Sequence, residues 1–475
     1  MRTIIYILII ITIYTYQGAA QIVDFYEITR LPFTTDKFDE FAPVYHDQGL
    51  VFTSNRREGF IVARMTDNGE ALLNIYQTRQ RESGRWIAPE LLDKSLRSNY
   101  HDGPVSFSSD GSRIYFTRNI PGKKNEELKL GIFIANYSKE GWIDITPFPY
   151  NSNNYNITHP SISQDGKTLY FASDMPGGYG GLDIYMSVFQ EQSWTTPINL
   201  GELINSEKDE VFPNIHTGGR LYFSSNNSDN GFLDLFFSTK KDDNWQTPAK
   251  LPKPFNSEAD DFGFIADHDL RTGFFTSSRE GTDNIYSFMS TFPEFTGCNS
   301  IREPELCFVF FEEGAEAIDT TLLYFEWDMG DGTRIRDLEA DHCFEDIGDY
   351  IIRLDVLDLI TGEVAYNVAY YHFSIERIEQ PFITSPDTTY VNQQIIFSAS
   401  ETYLVNSDIE GYYWEFGDGS MSEGEIVYHA YNKPGTYQVK LGILSDSNSQ
   451  FGQQKSCVYK YIVVQEEYPG LYHSQ

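Results

Sequence analysis

The stretch ITHPSISQDGKTLYFASD at residues 157–174 decides how the chain is read. A short segment carrying Pro160 is followed by an Asp165-Gly166 turn and by the apolar-aromatic run Leu169-Tyr170-Phe171, which closes on Ser173. Four further stretches repeat the phrase: DEFAPVYHDQGLVFTSNR at 39–56, HDGPVSFSSDGSRIYFTRN at 101–119, DEVFPNIHTGGRLYFSSN at 209–226 and DDFGFIADHDLRTGFFTSS at 260–278. Their anchors Phe52, Phe116, Phe171, Phe223 and Phe275 recur at roughly the 40 to 60 residue period of propeller blades.

Each repeat extends beyond that phrase. A third strand reads GGLDIYMSV, FLDLFFST or TDNIYSFM, and a fourth carries Trp and Pro, as in GRWIAPELL, EGWIDITPF, QSWTTPINL and DNWQTPAKL. Four short strands rich in Tyr, Phe, Ile and Val, with turn residues between them, make one blade. Strands one to three occur five times, but the Trp strand only four times. The missing strand is DFYEITRLP near the N-terminus, and its pairing with the run ending near Met289 would close a ring without a free sheet edge. This count predicts an all-β, five-bladed β-propeller; a degenerate sixth blade is the alternative.

SSDGSRIYFTR and SQDGKTLYFAS resemble the TolB-type, WD-like β-propeller repeat, with its Pro-led strand, Ser-x-Asp-Gly turn and Leu-Tyr-Phe-Ser strand. The fifth copy departs from it, with Gly263 at the Pro position and no Asp-Gly turn. The resemblance implies a fold but no activity, because propellers carry many functions.

Past Thr296 the pattern changes. YFEWDMGDGT at 324–333 and YYWEFGDGS at 412–420 are followed by HCFEDIGDYIIRLDVLD and YHAYNKPGTYQVKLGIL. A strand ending in Trp, a Gly-Asp-Gly turn and an alternating Gly-x-Tyr strand make half of a β-sandwich, with Trp327 and Trp414 as core plugs. These motifs resemble PKD domains, which are immunoglobulin-like sandwiches. The second copy matches at His429, Tyr431, Pro434, Gly435 and Tyr437, whereas the first carries Cys343 and Phe344 in the His-x-Tyr region. The tail of the first resembles a variant found in envelope proteins of gliding and type IX secretion systems, where an OmpA-like domain often follows. No such domain is expected after the second sandwich, so direct cell-wall anchoring is not part of this expectation. The expected organisation is a signal peptide at 1–20, propeller at 21–290, linker at 291–302, first sandwich at 303–376, second sandwich at 377–468 and a tail at 469–475.

The opening MRTIIYILIIITIYTYQGAA has an early Arg2, an apolar core of about 12 residues and small residues before Gln21, the layout of a cleavable signal peptide. A retained membrane anchor is the competing reading, but it needs ~20 apolar residues. No integral span is expected after cleavage. The formal net charge of −34 repels phosphate backbones, so nucleic acid is not an expected partner. The apolar share of 40% is enough for several cores, so the acidity is not a sign of disorder. The cysteines, Cys298, Cys307, Cys343 and Cys457, allow three full pairings in an exported chain. Cys307 with Cys343 is favoured, since both flank strand-like runs of one domain.

Candidate partner-binding residues recur at the start of each first strand: Asp39 and Glu40, His101 and Asp102, His159, Asp209 and Glu210, Asp260 and Asp261. Strand one lines a propeller's channel, so these positions would ring its mouth and could hold a basic peptide or a cation. The competing role is structural, accepting backbone N–H groups of the neighbouring blade. A second set follows the aromatic strands: Arg56, Arg118, Asp174, Asn226 and Arg279. Its arginines could grip a carboxylate, or bridge to the first ring between blades. NNSDNGFLD at 226–234 faintly echoes a calcium loop but reads better as a blade turn, so no metal and no cofactor are expected.

The chain has no GxSxG elbow, HExxH or P-loop, and its acids are too many for one catalytic pair to stand out. A non-enzymatic protein is therefore expected. Its setting would be a bacterial envelope, periplasmic, bound to the outer membrane or at the cell surface, and its partners envelope or outer-membrane proteins. By resemblance, the expected assembly is type IX secretion or gliding machinery, or a related surface assembly. Glycan binding or processing by exposed aromatics is the alternative.

Overall fold

The computed structural model describes residues 25–47, 49–56, 71–122, 128–228, 230–241, 244–312, 322–405, 407–447 and 453–466. The signal-peptide segment lies outside them. The chain divides into two compact units, one of them Asp24–Thr291 and the other containing Phe292–Gln475. Among the described residues, no helix is long and apolar enough to cross a membrane.

Among the described residues, the first unit has five main antiparallel sheets, each of three strands with an outer strand beside them, and a two-stranded ribbon pairing Lys240–Lys241 with Asn244–Trp245. The innermost strands are Glu40–His46, Asp102–Phe107, Ile157–Ile162, Glu210–Ile215 and Asp261–Ala266. The second strands, such as Thr168–Ser173 and Leu221–Ser225, are buried almost throughout. Successive side chains of a strand point to opposite faces, and this explains the repeated Tyr-Phe pair. Phe116 packs with Val51 and Ile75 of the preceding blade, while its neighbour Tyr115 packs with Ile157 and Phe171 of the next. Tyr170 and Phe171 divide in the same way, as do Tyr222 and Phe223. The aromatic run of each blade thus supplies half of two inter-blade cores.

Tyr26–Arg30 pairs antiparallel with Asn284–Ser290, matching Tyr26 to Ser290 and Arg30 to Tyr286. The first strand in sequence is thereby the outer strand of the last blade. At the same junction, Glu40 N donates to Asp283 O at 2.8 Å, as Asp102 N does to Leu73 O, Glu210 N to Leu182 O and Asp261 N to Leu233 O. Where chain ends meet, the backbone bonds as it does inside the chain.

Every innermost strand is interrupted at one place. Ala42, Gly103, His159, Phe212 and Gly263 all have positive φ, and the strand register shifts beside each. Such bulges bend a strand and raise its twist. Ala42 N and His159 N donate from this position to Thr276 Oγ1 and Thr117 Oγ1 of the preceding blade, at 3.0 and 3.1 Å. At Gly103 a Cβ would collide with the Thr53 hydroxyl, so glycine is required there by both conformation and space.

The second unit contains two sandwiches. In the first, Leu323–Asp328, Gly348–Asp358 and Val364–Ile375 form one sheet with Arg334–Ile335, while Cys307–Phe311 pairs with Glu339–Cys343 opposite. In the second, Ser407–Glu415, Gly435–Ser447 and Gln453–Gln465 form the main sheet, facing Ile395–Ser398 and Ile426–His429. Trp327 and Trp414 are both fully buried at the two cores. One disulfide joins Cys307 to Cys343, and another joins Cys298 to Cys457. Part of the stretch expected to be a linker is built into the second sandwich: Asn299–Ser300 runs parallel to its last strand. The first sandwich is therefore inserted between strands of the second. Gln380 bonds both the N–H and the carbonyl of Arg302 where the chain leaves and returns.

Candidate recognition surfaces

The strand-start residues fall into two classes with different fates. Glu40, Asp102, Glu210 and Asp261 point inward and are buried. Arg56 binds Glu40 at 2.9 Å, Arg118 binds Asp102 at 2.5 Å and Arg279 binds Asp261 at 2.9 Å. The same guanidiniums donate to the carbonyls of Phe33, Leu96, Pro254 and Phe255, in the connections leading into each blade. Among the described residues no arginine reaches Glu210; the Ser206 and Ser225 hydroxyls each reach it at 2.6 Å. Burial pushes the Glu40, Asp102 and Glu210 carboxyls up, against the pull of these partners. The arginine bridges expected between blades are thus formed within single blades, and they clamp the incoming connection.

The residue preceding each buried position remains half-buried at the rim. Asp39 pairs with Asn55, His101 with Asn119, Asn156 with Asp174 and Asp209 with Asn226, through side-chain and backbone bonds. His101, Asn156, Asp209 and Asp260 also accept the backbone N–H of Leu73, Leu130, Leu182 and Leu233 from the preceding blade. At ring closure Asp283 stands where the other junctions have leucine. Burial and the nearby charges of Asp39 and Asp260 push its carboxyl up. The rim is therefore most acidic where the ring closes. Among the described residues, no three His, Cys, Asp or Glu side chains are grouped to hold a metal ion.

His159 is not one of the rim residues. It sits at the bulge, two residues beyond Ile157, and Asn156 takes the rim position in its blade. Its ring stacks on Phe212 at 3.8 Å, and Phe212 N donates to its Nδ1. Burial pushes its imidazole down to about 3. Phe212 meets Phe41 and Phe262, so aromatic rings cluster on the axis below the rim. The axial cavity lined by Pro43, Pro104, Pro160 and Pro213 measures about 30 Å³, roughly one water. Aligning the repeats on these prolines, instead of on their acids, would have placed His159 correctly.

The sandwiches share a feature that the sequence reading registered only in the second. His429 bonds Asp418 of the Gly-Asp-Gly turn at 2.8 Å, and His342 bonds Asp331 at 2.7 Å in the same way. Burial raises the Asp418 carboxyl, but His429 and the Ser420 N–H outweigh it and hold the group below the usual range. Tyr437 and Tyr350 each donate to a carbonyl four residues earlier. The missed signal was His342, which stands two residues before Phe344 as His429 does before Tyr431. The cores differ in one donor: Trp414 Nε1 reaches Gly424 O at 2.8 Å, whereas Trp327 Nε1 has no partner among the described residues.

Residues 379–458 match the PKD domain family. The chain is 28% identical over 116 residues to collagenase ColA of Clostridium perfringens, covering 23% of this chain and 10% of that protein. It is 26% identical over 103 residues to collagenase ColA of Bacillus cereus, covering 21% and 11%. The chain thus spans about a tenth of the length of these curated relatives. Similar solved structures include TolB from Acinetobacter baumannii, with 10% identity, TM-score 0.29 and coverage of 82% of this chain and 63% of that one. A puromycin-hydrolysing peptidase of Mycobacterium tuberculosis has 10% identity, TM-score 0.32 and coverage of 76% and 58%. At such scores these likenesses carry no argument about activity; the propeller is read from its own strand pairing. The PKD match and the collagenase relatives fit an extracellular or exported chain with a binding module. The same relatives correct one expectation. They are enzymes, so the lack of a familiar catalytic motif does not place this chain outside catalysis, and the non-enzymatic assignment is withdrawn.

Proposed function

We propose that this chain is an exported component of a bacterial envelope that recognises a protein partner through the acidic rim of its propeller, within type IX secretion or gliding machinery. The observation that carries the reading is the division of labour at the strand starts. One acid of each pair is committed to the interior, while Asp39, Asp209 and Asp260 stay half-buried at the rim of a strongly acidic chain. A nearly filled axis leaves the rim as a surface for a partner, and its charge selects a basic segment.

The test is a crosslinking pull-down from native envelope fractions. The variant is Asp39→Asn, Asp209→Asn, Asp260→Asn, because the amides at 209 and 260 keep an acceptor for the Leu182 and Leu233 N–H groups, and the one at 39 keeps an acceptor for Asn55 Nδ2, while the charge is removed. Loss of a secretion or outer-membrane component from the variant supports the proposal. Equal recovery from both chains, or no envelope partner with either, overturns it.

A further inference from the structure

The outer face of the first sandwich carries a concavity of about 450 Å³, within the range of small-molecule sites. Strand register builds it. Tyr324 lies opposite Leu357, and Leu357 opposite Val364, which forms one row across three strands. Glu326 lies opposite Asp355 in the next row on the same face, and Tyr366 follows two residues after Val364. The intervening residues Phe325 and Trp327 face the core, so this row cannot turn inward. Tyr324 is nonetheless 41% exposed and Tyr366 70% exposed.

Polar groups at the site are held in place. Arg334 and Arg336 grip the Glu326 carboxylate from two sides, at 2.9 and 2.6 Å. Arg336, then Arg334, hold that carboxyl below the usual range, so it stays an acceptor. Asp355 is fixed by the Asn367 N–H at 2.7 Å, and the Arg336 guanidinium lies 5.9 Å from the Tyr324 ring centre. Two guanidiniums and two carboxylates make the lining neutral, in a chain whose net charge is −34.

We propose that this concavity is a binding site for a neutral carbohydrate. A sugar ring offers an apolar C–H face, which suits the negative face of an exposed tyrosine ring. Its hydroxyls both donate and accept, so they use fixed carboxylate acceptors and guanidinium donors together. A cationic or anionic ligand would find half of these groups opposed to it. The site is separate from the propeller rim, and the proposal does not depend on the rim's function.

Affinity electrophoresis of the full chain through gels containing a β-glucan, a xylan or a galactomannan, with alginate as the polyanionic control, tests it. Retardation in at least one neutral polysaccharide is expected, weakened by roughly tenfold or more in Tyr324→Ala, Tyr366→Ala, which is about 1.4 kcal/mol of binding. Tyr324→Phe, Tyr366→Phe keeps the rings and retains most of the retardation. Thermal melting of each variant shows whether it is folded. No retardation in any neutral gel, retardation in alginate alone, or retardation untouched by the alanine variant overturns the proposal. A crosslinked protein lost with the alanine variant, without sugar retention, makes the face a protein contact and overturns it as well.

Discussion

His159 shows how a residue can be chemically conspicuous and still belong to the scaffold. Its imidazole is pushed down to about 3 by burial, so it binds a proton more readily in the unfolded chain. The folded state therefore binds fewer protons than the unfolded chain between about pH 3 and 6.5, and stability falls as pH drops through that window. At pH 5 the cost is about 2 kcal/mol. Denaturant melts at pH 7 and pH 5 should show this loss, and His159→Asn, which also tolerates positive φ, should show less of it. An equal loss in both proteins would mean that His159 is solvated. Arg118 makes the opposite case. Arg118→Ala leaves Asp102 buried without its counter-charge and should cost about 3 to 5 kcal/mol in a urea melt. Asp102→Asn in the same chain should recover part of that loss.

At the scale of elements, the sandwiches are held by links that the sequence left open. Four cysteines in one exported region allow three pairings, and only the fold brings Cys298 beside Cys457, 159 residues away. Closing a loop of that length stabilises by about 5 kcal/mol in the chain-entropy account, against about 4 kcal/mol for the 36-residue separation of Cys307 and Cys343. Cys298→Ala, Cys457→Ala should therefore lower the midpoint of the sandwich transition more than Cys307→Ala, Cys343→Ala does, in calorimetry under non-reducing conditions. The reverse order would place the main constraint inside the first sandwich. The His–Asp link between turn and facing sheet occurs in both copies. It was legible in the sequence of the first only if Phe344 was matched to Tyr431, a correspondence of side-chain volume instead of identity.

For the molecule as a whole, closure is the decisive event. The last blade is completed by Tyr26–Arg30, and Arg30 further bonds Glu280 and Asn284 across that seam. Removing residues 21–31 should expose the edge of Asn284–Ser290 and convert a monodisperse protein into oligomers during size-exclusion chromatography, because an unpaired edge is a template for another chain. A truncated protein that remains monomeric with an unchanged melting profile would show that the strand contributes little. Proteolysis should report the same change as new cuts within the last blade.

The sequence by itself determined the repeat, the strand order within a blade, the displaced N-terminal strand and the two Trp-centred sandwiches. These follow from local periodicity, since two-residue alternation and turn residues are written in adjacent positions. It did not determine which of two neighbouring acids turns inward, which cysteines meet, or where His159 lies. Those outcomes depend on bulges, on carbonyls from other connections and on residues more than a hundred positions apart. Only the tertiary structure decided them, because burial and pairing are properties of what the chain packs against.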